Sequence, residues 1–124
     1  MPSALANADD PARVSWLVIR VLGAAVTVPI AEELAFRGYL LRRFASPGFE
    51  LVNRHTVTVM AVLLSSLAFG MLHGDRWIAA SIAGAIYAAA YLRRGSIGDA
   101  VAAHATTNAL IALWVLGGGD WRLW

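Results

Sequence analysis

Apolar residues fall into four long runs separated by short polar stretches. The runs cover about residues 14–31, 56–72, 77–92 and 100–117. Each is about 16–18 residues, which as a helix spans roughly 24–27 Å against a hydrocarbon core of about 30 Å. They are rich in Ala, Leu and Ile, and small residues recur every fourth position at Ala80, Gly84 and Ala88. That spacing lets transmembrane helices approach closely, although Ala-rich helices also contain it by chance. A soluble bundle would need polar outer faces on its helices, and the second to fourth runs carry too little charge to supply them. The pattern therefore predicts an all-α, polytopic transmembrane helical bundle of about four spans. The first run continues into a polar but still helical extension at 32–44, which Pro47-Gly48 stops. Residues 1–12 are small, polar and Pro-containing, and read as a mobile leader rather than a signal peptide. Residues 13–124 form the core. The longest polar connection is 45–55.

Composition strengthens this reading. Of the 124 residues, 59% are hydrophobic and 15% charged, against about 45–50% and about 25% in an average soluble domain. Mean hydropathy is +0.62. There is no cysteine, which removes disulfides, a thiol nucleophile, a zinc finger and an iron–sulfur site. All 10 basic side chains are arginines, so lysine Schiff-base chemistry is excluded as well. The net charge of +2 does not signal nucleic acid, because the arginines flank apolar runs singly or as the pairs Arg42-Arg43 and Arg93-Arg94. Tryptophans 16, 77, 114, 121 and 124 lie near run ends, as in an aromatic belt. The linkers at 42–54 and 93–94 hold five arginines; the N-terminal stretch, the 75–76 turn and the C-terminal stretch hold three. The positive-inside rule then puts both termini outside.

In such a chain the informative residues are polar ones inside apolar runs, because an intramembrane charge persists when it is paired or used. Three groups stand out. In Glu32-Glu33…Arg37, Glu33 and Arg37 are four apart and share a helix face, whereas Glu32 points about 100° away and stays available. His73 ends the second run, four residues beyond Phe69. His104 and Asn108 put two hydrogen-bonding side chains on one stripe of the fourth run. Each group also has a plain reading: glutamates facing headgroups, a capping histidine, a helix–helix hydrogen bond. Ser65, Ser66 and Ser81 read as packing, and Thr106 and Thr107 as helix–helix hydrogen bonds. There is no His-Glu-x-x-His, no Gly-x-Ser-x-Gly and no phosphate-binding glycine loop.

These groups, in this order, resemble the CPBP family of intramembrane CAAX-protease and bacteriocin-processing proteins. The family pattern is Glu-Glu-x-x-x-Arg, then Phe-x-x-x-His, then His-x-x-x-Asn, and the likeness covers about residues 28–115. It implies an integral membrane endopeptidase, expected in a bacterial inner membrane, that hydrolyses a peptide bond with an activated water. Glu32 and His73 would activate that water. His104 and Asn108 would hold the oxyanion, with Glu33, Arg37 and Phe69 in support. The implied mechanism is of the glutamic type and needs no cofactor; a zinc version would use Glu32, His73 and His104 as ligands. Implied partners are membrane lipid and a membrane-associated protein or peptide substrate.

The chain also departs from the family, whose members usually carry several helices before the Glu-Glu motif. It is expected to be either a minimal member or the C-terminal part of a longer protein. The ending, Trp121 to Trp124, and the Phe-Gly-Met-Leu-His-Gly-Asp-Arg-Trp run are similar to a subgroup fused behind an exosortase-like domain. A non-catalytic immunity or scaffold protein of the same fold and a small proton-coupled transporter are the rival readings. Geometry poses a second difficulty, since a plain four-span drawing puts Glu32 and His73 at opposite ends of their helices. One long tilted helix over 14–44, about 46 Å at the usual rise, would move the glutamates nearer mid-depth. Gly70 and Gly74 could end the second helix short.

Overall fold

The structure is a computed structural model that describes residues 1–123. Among these, four main helices account for most of the chain and no strand occurs. Helix α1 runs unbroken over Asp10–Ala45, 36 residues. It starts where the Asp9 carboxylate accepts the Ala12 N–H at 2.9 Å with Pro11 in the first turn, and it stops at the extended Ser46 ahead of Pro47. Helix α2 covers Val59–Met71, opened by Thr58 Oγ1 accepting from the Ala61 N–H. Helix α3 covers Trp77–Arg94 and α4 covers Ile97–Gly118. Gly95, at φ 74°, takes the left-handed conformation that lets α3 turn into α4 within two residues.

The single long helix is thus the arrangement adopted for the first run and its polar extension. At the ordinary rise, 36 residues would measure about 54 Å. Glu32 and Glu33 therefore lie well inside α1 rather than at its end. The expected boundary at residue 13 falls within this helix, since α1 starts at Asp10. Residues Ser3–Ala6 form one further helical turn with Leu5 buried, and Arg13 donates to the carbonyls of Leu5 and Ala8.

Of the four expected spans, α1 and α4 are long and apolar enough to cross a membrane. Helix α3 has 18 residues, and α2 only 13, about 20 Å. The second run is shortened from 17 residues because Thr58 caps it late and the chain turns at Gly74, φ 56°. His73 follows directly on this short helix.

The helices alternate in direction. Arg54 ties the linker after α1 to the Arg93 carbonyl, and at the opposite end Arg76 donates to the carbonyl of Arg122. The core is built of small and aromatic residues, among them Phe36, Leu41, Ala61, Phe69, Ala80, Tyr87, Tyr91 and Ala100. The stripe of Ala80, Gly84 and Ala88 is buried, so its spacing reflects close packing. A Cβ on Gly84 would stand 3.2 Å from Phe69 and 3.3 Å from the Ser66 backbone; one on Gly70 would overlap Ser81 Oγ and the Trp77 carbonyl. Large aliphatics point outward instead: Ile78, Ile82 and Ile86 form an exposed i, i+4 stripe on α3, and Ile19 of α1 is 71% exposed. This is the inside-out economy of a membrane bundle, where lipid solvates the aliphatics and small residues bring backbones together.

Candidate active site

The polar groups converge because two stretches of α1 are π-helical, at Gly23–Thr27 and Leu34–Leu40. Such wider turns shift the register of a helix and leave backbone groups without their usual partners. The first stretch shows how. The Val28 N–H goes to the Gly23 carbonyl, five residues back. In the same register the Ala24 carbonyl would look to residue 29, which is Pro29 and has no N–H. That carbonyl instead accepts from Asn108 Nδ2 of α4 at 2.7 Å. Asn108 is thereby held on α1 by one amide proton, and the second N–H of Nδ2 stays available.

Near the second π-helical stretch sits a buried ionic network. Glu33 Oε1 accepts from Arg37 at 2.9 Å and lies 2.9 Å from His104 Nδ1. Glu33, Arg37 and His104 are 0%, 1% and 3% exposed. Arg37 also donates to the Gly84 carbonyl at 2.6 Å, and its guanidinium lies 4.9 Å from the Phe69 ring centre. A bare glycine at 84 lets the arginine reach that carbonyl. Tyr87 stacks on His104, centroids 4.7 Å apart and 14° between planes, while Phe69 meets the same imidazole edge-on. A carboxylate only accepts, so the Nδ1 of His104 carries the proton and Nε2 is turned toward other partners. Nε2 lies 3.8 Å from Glu32 Oε2. That gap is too long for a direct hydrogen bond and suits a bridging water. Glu32 Oε2 is itself buried with no hydrogen-bond partner among the described residues.

His73 Nδ1 donates to the Phe69 carbonyl at 2.8 Å, and the two rings pack at 4.7 Å. The carbonyl fixes this tautomer too and leaves Nε2 as an acceptor. A cavity of about 400 Å³ is lined by His73, His104, Asn108 and Phe69 together with Arg20, Arg76, Tyr87 and Thr107. The structure therefore brings His73, His104, Asn108 and Phe69 to one cavity, and Glu33 and Arg37 to the network behind it. Glu32 meets His104 at the junction but forms no ion pair with His73. No three His, Asp or Glu side chains among the described residues are grouped to hold a metal ion. The zinc ligand set of Glu32, His73 and His104 is accordingly not assembled in this conformation.

Sequence reasoning passed over Arg20, Arg76 and Tyr87. Arg20 carried a signal: it is a charge within the apolar run 14–31, where insertion costs about 2.5–3.5 kcal/mol at mid-helix. Tyr87 carried none, because a tyrosine in an apolar helix is unremarked until its neighbours are known. Thr106 bonds the Ala102 carbonyl of its own helix, whereas Thr107, besides the Ala103 carbonyl, shares a side-chain hydrogen bond with Tyr87 of α3, the helix–helix bond expected of it. Ser65 bonds its own helix at Val62, consistent with packing.

Two imidazoles and an amide thus line a cavity between apolar helices, with a buried carboxylate–guanidinium network behind it. The chain matches the model of the Rce1-like family, type II CAAX prenyl endopeptidases, over residues 14–110, and it belongs to that family. It is thus a membrane protein of a protease family. No curated protein and no solved structure matches it.

Proposed function

We propose that the protein is an intramembrane endopeptidase of the glutamic type. The observation that carries this reading is the buried Oε2 of Glu32, which has no hydrogen-bond partner among the described residues and lies 3.8 Å from Nε2 of His104, a residue that lines the cavity with His73 and Asn108. In the proposed reaction Glu32, assisted by His73 Nε2, takes a proton from water as the oxygen attacks the scissile carbonyl. The resulting oxyanion accepts hydrogen bonds from Asn108 Nδ2 and His104 Nε2. Because Nδ1 of His104 already donates to Glu33, donation from Nε2 requires the doubly protonated ring, whose charge the oxyanion itself would balance. The intermediate then collapses, the C–N bond breaks, and the proton held by the base passes to the leaving amine. Preorganised donors of this kind are worth about 2.7–4 kcal/mol each in rate, which supports keeping polar groups in so apolar a bundle.

The family's name points to prenylated CAAX peptides, and we extend that substrate class to this chain. The test is cleavage of a farnesylated CAAX-type peptide by the full chain in proteoliposomes, followed by mass spectrometry. Cleavage that falls by about 100- to 10,000-fold in Glu32→Gln, as for loss of a general base, is the expected result. Undiminished cleavage in that variant overturns the role of Glu32. Ion flux without cleavage would favour a transporter, and neither activity would favour a scaffold. Chelation that abolishes cleavage, with recovery on adding zinc, would replace the glutamic mechanism by a metal-assisted one.

A further inference from the structure

Tyr87 lies outside the three family motifs, yet it is the residue laid flat on His104. The two ring centres are 4.7 Å apart and the planes 14° from parallel. Phe69 closes in from another side, edge-on to His104 at 5.6 Å and edge-on to Tyr87 at 6.0 Å. All three side chains are buried, Tyr87 with only 3% of its surface exposed. The Glu33 carboxylate fixes His104 at one atom, Nδ1. A single hydrogen bond leaves an imidazole free to tilt about that contact, and the direction of Nε2 tilts with it. A ring stacked flat on the imidazole removes this freedom, because stacking ties the plane of one ring to that of the other.

The phenol of Tyr87 is braced in turn. It shares a side-chain hydrogen bond with Thr107, which stands three residues after His104 on α4. Thr107 gives its own proton to the Ala103 carbonyl at 3.1 Å, so the phenol is the donor in that bond. The Tyr87 ring, although carried by α3, is thereby held to the helix that carries His104. Its one O–H proton is also engaged within the protein, which leaves none for an oxyanion in the cavity that Tyr87, His104 and Thr107 line together.

We propose that Tyr87, locked by Thr107, is the positioning residue that sets the plane of the His104 imidazole and so aims Nε2 at the oxyanion. This rests on the peptidase reading above and adds a residue that none of the motifs contains. Tyr87 acts through His104 rather than on the substrate. Misplacing a reacting group by about 1 Å costs about 100-fold in rate, so loss of the ring should fall on kcat and not on KM.

The full chain is placed in nanodiscs with isotope-labelled histidine, and the His104 Cε1 proton is assigned by its disappearance in His104→Gln. Stacking on Tyr87 should hold this resonance upfield of that of the exposed His55. Tyr87→Phe keeps a ring in place and should leave the resonance where it is; Tyr87→Leu should release it downfield. Cleavage of the farnesylated peptide is measured on the same samples. Tyr87→Leu should lower kcat by about 100-fold with KM little moved, and Tyr87→Phe by about fivefold, the worth of one hydrogen bond. Thr107→Val should behave as Tyr87→Phe does, and the double variant should be no slower than either, because both changes remove the same bond. An unmoved resonance in Tyr87→Leu overturns the proposal. So does a lowered unfolding temperature with unaltered kcat, which leaves Tyr87 a packing role, and so does a raised KM with unaltered kcat, which makes it a wall of the substrate site. Losses that multiply in the double variant overturn the lock by Thr107. Should Tyr87→Leu fail to fold, unaltered kcat in both Tyr87→Phe and Thr107→Val is the overturning result. The expected resonances without cleavage by any form leave the ring clamp standing and remove the peptidase reading; cleavage with an unmoved resonance in Tyr87→Leu does the reverse.

Discussion

Glu32 and Glu33 are adjacent in the chain and chemically almost identical, yet they belong to two different regions of the molecule. Glu33 lies in a closed network, fully buried, with one oxygen shared between Arg37 and His104. Glu32 lies on the open side, 28% exposed, with an oxygen that has no hydrogen-bond partner. The closed region is not perfectly saturated, since Glu33 Oε2 and Arg37 Nε also have none among the described residues. Even so, its charges balance and its side chains are clamped between Gly84, Phe69 and Tyr87. A helical turn of about 100° per residue separates the two carboxylates, and this is enough to make one a structural anion and the other a group with spare bonding capacity. A membrane enzyme needs both, because the reactive polar groups are held in place only if other polar groups hold them.

Exchanging the two glutamates in turn breaks this comparison most directly. Glu32→Gln should lower turnover by about 100- to 10,000-fold while leaving the unfolding midpoint in detergent nearly unchanged. Glu33→Gln leaves the buried Arg37 without its counter-charge, so it should cost about 3–5 kcal/mol of stability, read from denaturant or thermal unfolding. Equal loss of stability in both variants would refute the division into open and closed regions. Asn108→Ala should reduce kcat by about 100- to 1,000-fold through the lost oxyanion donor, with KM little moved and stability lowered by about 1–3 kcal/mol because the Ala24 carbonyl loses its partner; a change confined to melting would make Asn108 a helix tie only.

Smaller effects sharpen the picture. Gly70→Ala should destabilise by about 1–3 kcal/mol through overpacking of α2 on α3. Adding Ser81→Ala should not restore stability, because the new Cβ still overlaps the Trp77 carbonyl. Pro29→Ala restores an N–H opposite the Ala24 carbonyl and so competes with Asn108 for it. Turnover should fall by about tenfold or less, a milder form of the Asn108→Ala defect, since one intramolecular hydrogen bond is worth about 1 kcal/mol. An unaltered kcat in Pro29→Ala would show that the π-turn does not set the position of Asn108.

Much of this was legible in one dimension. Apolar runs marked α2, α3 and α4 to within three residues at either end, and the first run needed its polar extension to mark α1. The i, i+4 spacing of Glu33 and Arg37 gave their ion pair, because such a contact is local to one helix. The burial of Ala80, Gly84 and Ala88 was one of two readings that their spacing allowed, and packing chose between them.

What the amino-acid order determined by itself was whatever depends on neighbours a few residues away: helix type, the pairing of Arg37, the missing N–H of Pro29, and the family motifs. Only the tertiary structure decided that His104 reaches Glu33 across 71 positions, that Asn108 reaches Ala24 across 84, and that Arg20 and Arg76 share a wall. Those contacts depend on how rigid helices are set against one another. Helix periodicity tells which face a side chain occupies, but a slip of one π-turn or the absence of one Cβ decides what that face meets.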